Sequence, residues 1–104
     1  MLKVYDKAQW HIDAGEDLDL VLLRFEVLFE FLRKNELLKE EGLEILNLGI
    51  DSSISCHERM LNDNGKRFMC ACYDKLINYE PSQLKSELDQ EYDNFLKKNM
   101  ALQG

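Results

Sequence analysis

"EDLDLVLLRFEVLFEFLRKN", residues 16–35, decides the fold class. On a helical wheel of roughly 100° per residue, Asp19, Glu26, Glu30, Arg33 and Lys34 gather on one narrow stripe. The rest of the circumference is apolar, carrying Leu20, Val21, Leu23, Val27, Leu28, Phe31 and Leu32. Such a pattern predicts a central helix covered on most sides. Glu16 and Asp17 at its start and Arg33 and Lys34 at its end suit the helix dipole. Arg24 breaks the pattern, because the wheel places it among residues that should be buried. Either its stem snorkels to an edge, or its guanidinium enters an internal ion pair that orders the N-terminal segment.

Downstream, "LKEEGLEIL" (38–46) and "LNDNGKRFM" (61–69) share a Leu, a Gly four places on and two apolar residues beyond it. Both read as helix beginnings, and Asn62 or Asp63 can cap the second. Chance explains the echo better than common ancestry. Between the two, Gly49 can end a helix and Asp51, Ser52 or Ser55 can start another, with Ser55 and Glu58 at capping-box spacing. A long helix follows from about Asn62 to Tyr79, with Phe68, Met69, Cys72, Tyr73, Leu76 and Ile77 at core spacing. Pro81 suits the first turn of the last helix, which runs to about Met100. Leu84, Leu88, Tyr92, Phe95, Leu96 and Met100 line one side of it, and Glu87, Asp89, Glu91 and Asp93 are left to solvent.

Strand alternation is not convincing anywhere, although residues 1–5 can be extended. The expected fold is therefore all-α: a compact single-domain helical bundle of three long helices plus one or two short ones. Residues 1–15 are expected to form an extended or irregular segment packed on the first long helix. With 104 residues, the chain has room for one domain with a single core. Its 45% hydrophobic and 32% charged residues suit a globular rather than disordered protein.

Composition also bounds function. A net charge of -7 opposes a phosphate-binding surface, which needs clustered Lys and Arg, and suits a basic partner. Nucleic acid is therefore not the expected partner. Neither is a membrane, since no stretch approaches roughly 18 apolar residues. The N-terminus lacks a basic segment followed by an apolar run, so the cytoplasm is the expected compartment. Three cysteines, Cys56, Cys70 and Cys72, are then free thiols.

Cys56, His57, Cys70 and Cys72 are conceivable zinc ligands, but residues two apart on a helix point about 200° apart, so Cys70 and Cys72 do not chelate one ion. A Cys nucleophile with His57 or His11 as base has no local signature. No enzyme, cofactor or metal is expected.

The opening "KVYDKAQWHIDAGED" (3–17) carries the functional question. Tyr5, Trp10 and His11 combine apolar bodies with polar tips, which suits a segment laid over the central helix and hydrogen-bonded to it. Read functionally, Trp10 with Asp13, Glu16, Asp17 and Asp19 forms an acidic docking edge, and Glu87, Asp89, Glu91 and Asp93 are a second candidate. Either run alone also reads as an ordinary solvated face.

Tyr5-Asp6-Lys7-Ala8-Gln9-Trp10-His11, then an acidic loop, a long aromatic-rich helix and the turn Asn35-Glu36-Leu37-Leu38, resembles a group of small bacterial proteins with a Tyr-Asp-x-Ala-x-aromatic-His start. These are similar in size and acidity to the immunity proteins of polymorphic toxin and contact-dependent growth inhibition systems. The resemblance covers the first half of the chain and ends at Gly49. It implies a binding protein whose partner is a cognate protein toxin domain. A different expectation, a small helix-turn-helix regulator, rests on the two short helix starts and the Gly65-Lys66-Arg67 patch.

Overall fold

The computed structural model describes residues 2–103, the last four of them by their backbone only. The expectations for Met1 and for the side chain of Met100 lie outside the described residues. The chain is mostly helical. In order it forms β1 (Val4–Lys7), α1 (Ala8–Asp13), α2 (Leu18–Lys34), α3 (Glu40–Leu48), β2 (Ser55–His57), a 3₁₀ turn (Glu58–Met60), α4 (Asp63–Leu76) and α5 (Pro81–Gln103).

The 17-residue α2 is the centre of the bundle. Phe31 meets Phe68 of α4 at 5.4 Å and Tyr92 of α5 at 5.5 Å. On the far side of α4, Lys75 reaches Glu91 and Phe68 reaches Phe95, so α4 and α5 run antiparallel. Leu84 and Leu88 of α5 are fully buried in the same core as Phe25, Leu28, Phe29 and Leu32 of α2. Among the described residues, no helix is long and apolar enough to cross a membrane.

Three features correct the sequence expectation. First, a small antiparallel ladder pairs β1 with β2, with a bulge between Val4 and Asp6, so the fold is helical with a two-stranded sheet rather than purely α. Ser55 is consumed by this ladder and does not start a helix; His57 instead caps the 3₁₀ turn, accepting from Arg59 N–H. The pairing wins over a capping box because it satisfies both backbones and buries Cys56 and Ile54. Second, the N-terminal segment is extended at Val4–Lys7 and continues into a short helix at Ala8–Asp13, with Asp6 and Ala8 fully buried.

Third, α2 is not covered on most sides. Leu20 is 51% and Leu23 44% exposed, while Val21, Leu28, Phe31 and Leu32 are buried. On the helical wheel Leu23 falls within the polar stripe, between Glu30 and Lys34, and Leu20 falls just beside it.

The echoed Leu-x-x-x-Gly segments turn out to face each other. Leu38 and Leu61 form an isolated antiparallel bridge. Lys39 N–H donates to Met60 O at 2.7 Å, and Asn62 N–H donates to Leu37 O at 3.0 Å. A Cβ on Gly42 would lie 2.9 Å from Met60 O, and one on Gly65 would lie 2.6 Å from Leu37 O. Each glycine thus lets its helix approach the carbonyl that precedes the other segment's leucine, which gives a physical reason for the shared spacing. Asn62 caps α4, accepting from Gly65 N–H at 2.8 Å.

Alanine at position 65 would gain about 1 kcal/mol in helix propensity. The backbone carbonyl of Leu37 cannot yield as a side chain can, so Gly65→Ala should destabilise by about 1–3 kcal/mol despite that gain. Urea denaturation of the variant measures this, and an unchanged or raised midpoint would contradict the close approach.

Candidate partner-binding site

The site begins with β1. Its alternation turns Asp6 inward, and the fully buried carboxylate accepts from Lys7 N–H at 2.8 Å, from His11 Nε2–H at 2.8 Å and from Tyr73 O–H at 2.5 Å. Ala8 N–H then bonds Ile54 O, and the chain enters α1. Over its six residues α1 places Ala8 and His11 inward and Trp10 outward, because neighbours in a helix point about 100° apart.

The helix ends at a Schellman turn. Gly15 N–H donates to Ile12 O and Glu16 N–H to His11 O, with Gly15 at φ 89°. That left-handed backbone suits glycine. The turn brings Glu16 back onto the ring it follows: Glu16 Oε2 lies 2.6 Å from His11 Nδ1. Asp17 then caps α2, accepting from Leu20 N–H at 3.2 Å.

Both nitrogens of His11 face carboxylate oxygens, Nε2 toward Asp6 and Nδ1 toward Glu16. Arg24 Nη1 lies 3.2 Å from the same Nδ1, so the guanidinium meets the ring at the corner that Glu16 also faces. Arg24 is only 5% exposed, and its Nε and Nη2 have no hydrogen-bond partner among the described residues. Its stem does not snorkel out, and its link to the N-terminal segment runs through His11 rather than through a direct carboxylate pair.

The cluster raises its weak acids. Burial, then the Asp6 charge, pushes the Tyr73 phenol well above its ordinary 10.0, and the same causes push the Cys56 thiol from 9.0 up to about 12. Both groups hold their protons more tightly folded than unfolded. Their contribution to stability is complete below the ordinary values and is lost as pH rises through them toward the folded ones. Urea midpoints should accordingly decline as pH rises above 9.0, and Cys56→Ala should delay the onset. A midpoint that stays constant through this range would contradict the buried, protonated cluster.

On the outer side of this anchor stand the expected contact residues. Trp10 is 49% exposed, while its neighbour His11 is the residue buried against Phe25 and Arg24 of α2. Asp13 accepts from Gln9 at 2.7 Å, and Asp13, Glu16, Asp17 and Asp19 are all exposed. The α1–α2 turn thus collects Trp10 and the first acidic run on one short segment.

The second run is not one face. Glu87 and Glu91 are half-buried rather than open to solvent. Glu91 points to Lys75 of α4 at 4.0 Å, Asp93 pairs with Lys97 at 3.0 Å, and Asp89 lines a groove against α2. Cys56 and Cys72 are buried and Cys70 is exposed. Among the described residues, no three His, Cys, Asp or Glu side chains converge on a metal-sized site.

Sequence reading missed Asp6 as the partner of His11 and Tyr73 as the partner of Asp6. A signal was present: Arg24 at an inward position of α2 required buried counter-charge, and Gly15 at the end of the short helix marked the turn that returns Glu16. No family model, curated protein or solved structure matches the chain.

Proposed function

We propose that the chain is an immunity protein, a cytoplasmic binding protein without enzymatic activity that neutralises a cognate toxin domain, of basic nuclease type, through acidic surface. The observation that carries this reading is Trp10, 49% exposed on a short helix whose opposite side is pinned by the Asp6–His11–Glu16 cluster. A half-exposed Trp on a rigid mount is suited to act as an interface anchor. Asp13, Glu16, Asp17 and Asp19 beside it supply charge that steers a basic cleft toward the site. Glu87, Asp89, Glu91 and Asp93 contribute to the long-range field of the -7 chain rather than to a second contact face.

Co-expression with the C-terminal domain of the protein encoded immediately upstream tests the reading. Rescue of host growth together with a complex that co-purifies at low salt is expected. Neither rescue nor complex would sink it.

The helix-turn-helix alternative has less behind it. Lys66 of the Gly65-Lys66-Arg67 patch pairs with Asp63 at 3.5 Å, and Gly65 is buried against Leu37. Retention on DNA at low salt would favour that alternative. For Cys56, burial that pushes the thiol up to about 12 opposes a nucleophilic role.

A further inference from the structure

The exposed edge of α2 adjoins an open groove between α2 and α5 of about 460 Å³. Its floor is Leu23, Val27 and Phe31; its rim carries Glu26, Glu30 and Asp89 against Arg33, Lys34 and Lys85. Three acids and three bases sum to zero on a chain whose net charge is -7. All of the excess negative charge therefore lies elsewhere. Two copies of so acidic a protein repel each other over most approaches, and this face is where they meet without that cost.

Its charges are also ordered. On α2 the acids Glu26 and Glu30 precede the bases Arg33 and Lys34, and on α5 the base Lys85 precedes the acid Asp89. Phe31 packs on Phe68, while Arg24 joins through His11 and Asp6 to Tyr73; α2 and α4 are antiparallel, so α2 and α5 run parallel. A twofold axis through the groove, which turns each helix antiparallel to its copy, sets acid against base on both helices. That is the self-complementarity an isologous interface requires. The floor supplies apolar surface, with Leu23 44% exposed and Leu20, one turn before it, 51% exposed.

We infer that the α2/α5 groove is a homodimer interface, occupied by the same face of a second copy of this chain. It leaves the α1–α2 turn outside the groove and stands independently of the toxin-neutralising reading.

The test is sedimentation equilibrium of the purified full chain over a wide concentration range. A reversible monomer–dimer equilibrium is expected. Leu23→Glu, at an exposed position that should not disturb folding, should weaken dimerisation about tenfold or more, with an unchanged circular dichroism spectrum. Glu26→Lys and Lys34→Glu should each weaken it singly, and the double variant should recover most of the loss, because in a twofold dimer the swapped charges meet again. A heterologous occupant gives no such recovery. A monomer at every concentration overturns the proposal, as does a dimer indifferent to Leu23→Glu or a charge swap without recovery.

Discussion

Asp6→Ala is expected to cost about 3–5 kcal/mol of folding stability, because it removes one member of a buried ionic cluster and leaves its partners without their acceptor. Three donors lose their acceptor at once: Lys7 N–H, His11 Nε2–H and Tyr73 O–H. Asp6 is fully buried, so water does not readily replace it. A small domain has about 5–15 kcal/mol in total, so the variant is expected to be partly unfolded at physiological temperature. Tyr73→Phe keeps the question measurable. It removes one hydrogen bond to a charged group, worth about 1.5–3 kcal/mol, and leaves the Asp6 carboxylate in place. Urea denaturation of both variants checks the ordering. If Asp6→Ala falls within about 1 kcal/mol of the parent, the cluster is not what holds the N-terminal segment to α2 and α4.

Trp10→Ala is expected to behave in the opposite way. With 49% of its surface exposed, the indole contributes little to the core, and its loss should change stability by about 0.5 kcal/mol or less. Binding of the toxin domain should weaken by about 2 kcal/mol or more, roughly 30-fold in Kd, the range of a buried aromatic anchor. Charge reversals beside it should act differently. Asp13→Lys and Asp19→Lys should slow association and steepen no loss in dissociation, since rim charges act mainly on encounter. Asp17 is a poor choice for this comparison because it caps α2, and its loss would cost about 1 kcal/mol of helix stability. Surface plasmon resonance separates the two rates. Equal binding by Trp10→Ala and the parent chain would remove the α1–α2 turn as the contact.

The candidate site was legible in sequence where local rules act. The exposed acids were read from the helical wheel and the turn, and they stand there. In the α5 run Asp89 and Asp93 are exposed as the wheel places them, while Glu87 and Glu91 are half-buried, because a wheel shows which side is polar and not what lies opposite it. Opposite Glu91 stands Lys75 of α4, at 4.0 Å. Trp10 was open between packing and contact, since an aromatic beside a buried histidine fits either; the direction of one short helix settled its exposure.

Periodicity and punctuation in the chain by themselves determined α2 to α5, but not the six-residue α1. The bounds of α2, the Asn62 cap of α4, Gly49 after α3 and Pro81 at the start of α5 all follow from interactions within a few residues. Tertiary structure alone decided the β1–β2 ladder, the mutual approach of Gly42 and Gly65, and the partners of Arg24. Each joins segments far apart in the chain, as Asp6 joins Tyr73 across 67 positions. No local pattern encodes such a meeting, because a buried charge states only that counter-charge must come, and the packing of the helices selects which residue brings it.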